Sequence, residues 1–451
     1  MSLDLHSFVT STRWTDLPPA VQEMARRCLL DLIGTAAAGR QTELSRIISI
    51  HATRMFGASD PAFAARILFD GRRASLAGAA LAGGMTIDSF DAHDGHVLTK
   101  GHAGVAILPA LLAMADRAEA AMSGPDFLTS LVIGYEVAIR AGIAQHRTCC
   151  DYHTSGAWNA LGAVAVAARA LGLDAAGLAE ALGIAEYHGP RSQMMRCIDF
   201  PTMVKDGSGW GAMTGVDAAY LAAEGFTGAP ALVCDAPEVA DLWADLGQGW
   251  RILELYFKPY PVCRWAQPAV EAGLSLIRAH HPDPAAIETI EVETFDAAVR
   301  LDQACPTTTE QAQYSLPFPL AVATVHGTLP PGAITAEGLR DPVVQEMSTR
   351  VRLRTAPEIE AKFPAQRFAR VTYVLRDGTR YTSDTMPARG DAESPLSDAE
   401  ILAKFCDLTE SLSDDRRAAI RREVAALADR PDVGALLELV LTNPADARQR
   451  S

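Results

Sequence analysis

From Pro18 to His281 the chain repeats one pattern: apolar runs at helical spacing, rich in Ala and Gly, separated by short segments bearing Pro, Gly or polar residues. Between Pro18 and Arg40, the residues Val21, Met24, Cys28, Leu32 and Ile33 share one helical stripe; Pro18 and Pro19 suit a first turn and Gly39 an end. Comparable runs occupy 74–89, 104–120, 125–146, 156–171, 174–188, 208–224 and 267–281. Alternation of period two is nearly missing, so this part predicts closely packed helices. After His281 the texture changes. Ile287–Thr294, Thr349–Arg354 and Arg370–Leu375 alternate like half-buried strands, and Asp377-Gly378 signals a hairpin into Thr379–Asp384. Helical periodicity returns at Asp398–Ser411 and Asp414–Ala428. The expected fold is mostly α: a large helical domain over residues 1–269, a smaller α+β domain over 270–394, and C-terminal helices over 395–451 that return to the first. A length of 451 residues fits two or three such units.

Composition narrows the function classes. Charged residues make up 21% and the net charge is −15, with no basic block, which argues against nucleic acid and against an anionic membrane surface as partners. An anionic substrate would need a local cluster of cations. The eight cysteines are scattered without a C-x-x-C pair and fit a reduced cytoplasm. Neither a signal peptide nor an apolar run long enough to span a membrane is expected.

Chemistry concentrates in four places. Ile87–Pro109 carries Asp88, Asp91, His93, Asp94, His96, Lys100 and His102 between apolar helical runs; so many ionisable groups there are either solvated in a loop or held in a cleft. Tyr152-His153-Thr154-Ser155-Gly156 precedes the 156–171 run, where small hydroxyl residues cap a helix whose free N–H groups favour a carboxylate. In FPTMVKDGSGWG, Phe200–Gly211, Lys205 is the cation in a Gly/Ser-rich turn before another helix. In FKPYPVCRWAQP, Phe257–Pro268, Lys258 and Arg264 are cations held among prolines.

Each has a plainer reading. His93 and His96 with Asp88 and Asp91 form a weak metal-ligand pattern, matching neither H-E-x-x-H nor a zinc-finger spacing. His153 can be a capping or core histidine, and Lys205, Lys258 and Arg264 can be surface cations. The glycines of DGSGWG lack both a preceding strand and a following G-K-[ST], and no G-x-S-x-G elbow occurs, so neither a nucleotide loop nor a serine hydrolase is expected.

Taken together, the segments resemble the MmgE/PrpD family, which contains 2-methylcitrate dehydratase, cis-aconitate decarboxylase and iminodisuccinate epimerase. The resemblance rests on the acidic stretch ending in Gly101-His102-Ala103-Gly104 with Pro109; on Tyr152–Ser155 ahead of a helix ending at Gly172–Asp174; on Thr202–Lys205 before Gly215–Gly228; on Phe257–Pro261; and on AQYSLPF at Ala312–Phe318. It implies a helical domain built from both chain ends, an α+β lid, a homodimer, and activity on small di- or tricarboxylic acids without a cofactor or metal. By position it implies site roles for His102, His153, Lys205 and Lys258, with Asp88 or Asp91 in the place of the family's acidic residues. The family's acidic run is altered here to Ser89-Phe90-Asp91-Ala92-His93, and Phe318 stands where the decarboxylase has a tyrosine, with Tyr314 nearby.

These reactions share one problem, removal of a weakly acidic proton beside a carboxylate, which needs cations for the developing charge and an imidazole or amine as base. The leading expectation is a lyase of the dehydratase type. Lys205, Lys258, Arg264 and Arg191 would hold carboxylates, His153 and His102 would exchange the proton, Asp91 would orient an imidazole, and His93 or His96 would protonate the departing hydroxyl. Ser155, Asp88, Lys100 and Tyr314 complete the expected binding set. The alternatives are an epimerase with two opposed bases, a metal-dependent hydrolase using the Asp/His stretch, and a binding protein without turnover.

Overall fold

The computed structural model describes residues 4–117 and 122–444. The apolar runs form helices where their periodicity places them: Pro19–Gly39, Leu76–Asp88, Gly104–Asp116, Gly124–Thr148, Gly156–Leu171, Ala175–His188, Ser208–Ala223 and Gln267–His280. Residues 118–120 of the expected 104–120 run lie outside the described residues. A further helix, Glu43–Met55, is capped by the Thr42 hydroxyl, which accepts from the Ser45 N–H. Gly124–Thr148 corrects the sequence reading in one respect. It is long and apolar enough to cross a membrane by length and composition, yet 94% of its apolar window is buried inside the fold, as in a core helix.

The Ala- and Gly-rich composition has a direct packing consequence. Helix Ser208–Ala223 lies against Leu76–Asp88 and Gly156–Leu171. A Cβ on Gly84 would sit 2.6 Å from Gly209 Cα, and one on Gly209 would sit 2.7 Å from Leu81 O, so only glycines allow these two backbones to approach so closely. That approach brings the turn before Ser208 against the end of Leu76–Asp88, where the acidic stretch begins.

The second core is built around a mixed sheet. Its strands run in the order Val351–Thr355, Ile287–Thr294, Phe368–Leu375, Arg380–Thr382, with the first pair parallel and the others antiparallel. Helices Gln267–His280 and Pro317–His326 pack on it through Val270, Leu274 and Leu320. This core also takes in Phe90, Ala92, Met194, Cys197 and Ile198, so the acidic stretch and the 194–198 segment lie on the seam between the helical and α+β parts. Helix Asp398–Leu408 packs against Pro19–Gly39. From it Lys404 reaches Asp31 Oδ1 and Ala92 O, each at 2.5 Å.

Candidate active site

After Asp88 the chain leaves its helix and doubles back. Gly95–His96 pairs with Leu255–Tyr256 in a two-residue antiparallel ladder, and His96 also bridges to Gly101. The turn between them closes on Lys100, whose φ of 51° is in the left-handed region that side chains other than glycine rarely adopt. Lys205, in the DGSG turn, has a φ of 48°. Two expected site lysines therefore sit at strained backbone positions.

The ladder brings the acidic stretch beside Lys258. Asp91 Oδ1 accepts from Lys258 Nζ at 2.6 Å, and both side chains are buried. Burial alone would raise the Asp91 carboxyl's pKa, but the charges of Lys258 and then Lys205 outweigh it and hold that pKa well below the usual range. Gln313, which the sequence reading passed over, organises the same corner. Its Oε1 accepts from the Asp91 N–H at 2.8 Å and from Lys205 Nζ at 2.7 Å, while its Nε2 donates to Ser89 O at 3.1 Å. Lys205 Nζ also lies 4.8 Å from the centroid of the Tyr314 ring.

His102 is the imidazole that faces this corner. Its Nδ1 is 2.6 Å from Asp94 O, which fixes a proton on Nδ1 and leaves Nε2 as an acceptor. Burial, then the charge of Lys258, pushes its pKa well below the ordinary histidine value, so the ring is neutral near pH 7. Behind it His93 packs edge-on, ring centroids 4.3 Å apart, with its Nε2 3.7 Å from Asp88 and 3.8 Å from Asp91. Burial and the charge of Lys258 lower the pKa of His93 to about 3.

Two buried carboxyls support the arrangement. Asp206 accepts from the Ser155 N–H at 2.9 Å, and its own N–H donates to Asp88 Oδ2 at 3.2 Å. Burial raises the pKa of both, and the charge of Asp88 raises that of Asp206 further, to about 8, so Asp206 retains a proton into the neutral range. Ser155 Oγ bonds to Asp206 and accepts from the His102 N–H at 2.9 Å. Its hydroxyl is thus engaged in holding His102 rather than free for a substrate, contrary to the expected binding role.

Asp91, Lys100, His102, Lys258, Arg264 and Tyr314 line one small cavity on the seam. Tyr152, Tyr256 and Arg367 line it as well. Phe318 is buried in the second core, so the nearby tyrosine, Tyr314, is the one at the cavity. Lys205, Asp88 and His93 stand behind these walls.

Three expected site residues point elsewhere. His153 lies in an extended segment that bridges to Gln193, and side chains alternate there; since Tyr152 faces the cavity, His153 faces away, its Nε2 3.5 Å from Arg191. Arg191 donates to Cys149 Sγ at 3.1 Å and lines a separate outer groove. His96 is held by Glu254 at 3.0 Å, away from the cavity.

Asp91, His93 and His102 each offer one ligand atom within 4.8 Å of the others. However, Asp91 Oδ1 is taken by Lys258, and Lys258 and Lys205 already impose a positive field on the group. The donor set therefore fits a divalent cation poorly.

Residues 3–242 match the MmgE/PrpD N-terminal domain and residues 260–430 the MmgE/PrpD C-terminal domain. The chain belongs to the MmgE/PrpD family. Among its relatives is the cis-aconitate decarboxylase-like protein oryM of Aspergillus oryzae, 23% identical over 98% of this chain and 97% of the relative. Mouse cis-aconitate decarboxylase is also 23% identical, over 94% of this chain and 90% of its own length. Family and relatives support a lyase of the dehydratase or decarboxylase type.

Proposed function

We propose that this MmgE/PrpD protein is a cofactor-independent hydro-lyase acting on a small hydroxy di- or tricarboxylic acid. The observation that carries the reading is His102, neutral near pH 7, with Nδ1 tied to a carbonyl and Nε2 free in a cavity that also holds Lys258. In this reading a substrate carboxylate lies against Lys258, whose charge lowers the cost of the enolate-like state formed when Nε2 takes the neighbouring proton. The resulting imidazolium hands that proton to the departing hydroxyl, so water leaves and an alkene remains. Asp91 holds Lys258, and Gln313 aligns Asp91 with Lys205; these are positioning residues.

Among the described residues the cavity wall offers one imidazole. That favours elimination over two-base epimerisation. The test is a panel of hydroxy di- and tricarboxylates, followed by the ultraviolet absorbance of a new conjugated double bond and repeated in deuterated water. Alkene formation by one member supports the reading. Deuterium entering recovered substrate with inversion and no alkene would replace it with the epimerase.

The outer groove supports a further part of this reading, a homodimer. Ile47, Phe200, Met203, Val204 and Trp210 are exposed apolar side chains along it. Light scattering on a sizing column tests this, and a monomer at micromolar concentration would dismiss it. The free thiols at all eight cysteines support a reducing compartment such as the cytoplasm.

A further inference from the structure

The cavity's charges do not balance. Four cations line it, Lys100, Lys258, Arg264 and Arg367. Lys258 is paired with Asp91 at 2.6 Å and Arg264 with Asp391 at 2.5 Å. Arg264 is further tied to Arg389 O at 2.6 Å. Among the described residues, Arg367 and the Lys100 ammonium make neither an ion pair nor a hydrogen bond. Arg367 is only 8% exposed and its Nε is buried without a partner. The Lys100 ammonium lies 5.3 Å from the Tyr152 ring centroid, a contact that leaves its hydrogens unused.

A guanidinium stays charged at any physiological pH, and burying one without an anion costs several kcal/mol in a folded protein. Here a second cation shares the same wall; burial and the charge of Arg367 both lower the pKa of Lys100. Two uncompensated cations in one cavity are expensive unless an anion completes them. Arg367 offers a planar fork that matches a carboxylate, and Lys100 a point charge beside it.

We propose that Lys100 and Arg367 form a second carboxylate subsite, so that the substrate carries one carboxylate for Lys258 beside the reacting carbon and another for this pair. The inference rests on the reading of the cavity as a polycarboxylate site and names what selects among such acids. Molecules with a single carboxylate leave the pair unsatisfied and are discriminated against. Tricarboxylates satisfy both places with one carboxylate to spare.

Calorimetric titration of the full-length protein with propane-1,2,3-tricarboxylate, butyrate and inorganic phosphate tests the subsite without needing turnover. The wild type should bind the tricarboxylate at least about tenfold more tightly than butyrate. Arg367→Gln and Lys100→Gln should each weaken the tricarboxylate by about tenfold and leave butyrate little changed, and Arg367→Lys should restore part of the loss. Loss of both ligands in equal measure, no loss in either variant, or no tricarboxylate binding by the wild type overturns the subsite. Tighter binding of phosphate than of the tricarboxylate overturns its assignment to a carboxylate. Turnover on the panel with an unchanged KM in Arg367→Gln sinks the subsite and leaves the lyase reading standing. Arg367-dependent binding with no reaction by any panel member does the reverse.

Discussion

Gln313→Ala removes three hydrogen bonds from one buried corner. The Asp91 N–H at 2.8 Å, Lys205 Nζ at 2.7 Å and Ser89 O at 3.1 Å all lose their partner. A buried group left unpaired costs about 1–3 kcal/mol, and more when charged, so three would cost about 3–9 kcal/mol with no relaxation. Lys205 retains its contact with the Tyr314 ring, and water can enter the space the amide leaves, so we expect a loss near the lower end, about 4 kcal/mol. At about 2–4 °C per kcal/mol for domains of this scale, the unfolding midpoint should fall by roughly 10 °C. Scanning calorimetry near pH 7 measures it, with kcat/KM taken on the same samples. Gln313→Glu retains an acceptor for both donors and should keep most of the midpoint, while changing kcat/KM through its added charge. A Gln313→Ala midpoint within about 2 °C of the wild type, together with kcat/KM within about threefold, would refute the view that this amide organises the corner.

Other outcomes follow from the same geometry. His102→Gln should fold normally and lose about 10²–10⁴ in kcat/KM, the usual worth of a positioned base; retention of near-normal activity would remove it from the chemistry. Because its pKa lies well below the usual value, the acid limb of the wild-type kcat/KM profile should fall below pH 6.5, and a limb above that value contradicts the assignment. Burial, then the charge of Asp31, raises the pKa of Asp94 to about 7. The folded state then binds more protons than the unfolded chain between about pH 4 and pH 7, so stability falls as pH rises through that window, and Asp94→Asn should flatten the slope of midpoint against pH. Prolonged treatment with a strong chelator should leave activity unchanged, since Lys258 holds Asp91 Oδ1 and the Asp91, His93 and His102 group lies in a positive field; loss of activity restored by a divalent metal would reinstate the hydrolase reading.

The helices were legible because their apolar stripes run long without interruption, and the strands because IETIEVET and RVTYVL alternate cleanly. The site was legible where charge marks it, at Asp91, Lys100, His102 and Lys258. Its uncharged organiser was not: Gln313 lies within AQYSLPF, but an amide has no spacing signature, and its importance comes from meeting Asp91 and Lys205 across the seam. Arg367 gave no signal in a loop ahead of a strand, where a charged residue is ordinarily solvated. His153 failed for a local reason. In an extended segment Tyr152 and His153 cannot both face one cavity, and the sequence does not say which of the two turns inward. Serine at position 155 bonds to the His102 N–H, and a hydroxyl that caps or contacts a ligand looks the same in sequence as one that braces a histidine from behind.

The ion pair between Lys404 and Asp31 joins residues 373 positions apart. During synthesis Asp31 is made early and its cation arrives nearly last, and Asp91 likewise waits 167 residues for Lys258. Until those lysines emerge, the N-terminal helices hold carboxylates that cannot be buried in ionised form without a large cost. Burial of Asp31 with its cation therefore requires the helix that carries Lys404. A protein cut short before Asp398 should leave Asp31 without its cation and the acidic stretch without the lysine that anchors Ala92, so the far end of the chain bears directly on the wall of the cavity.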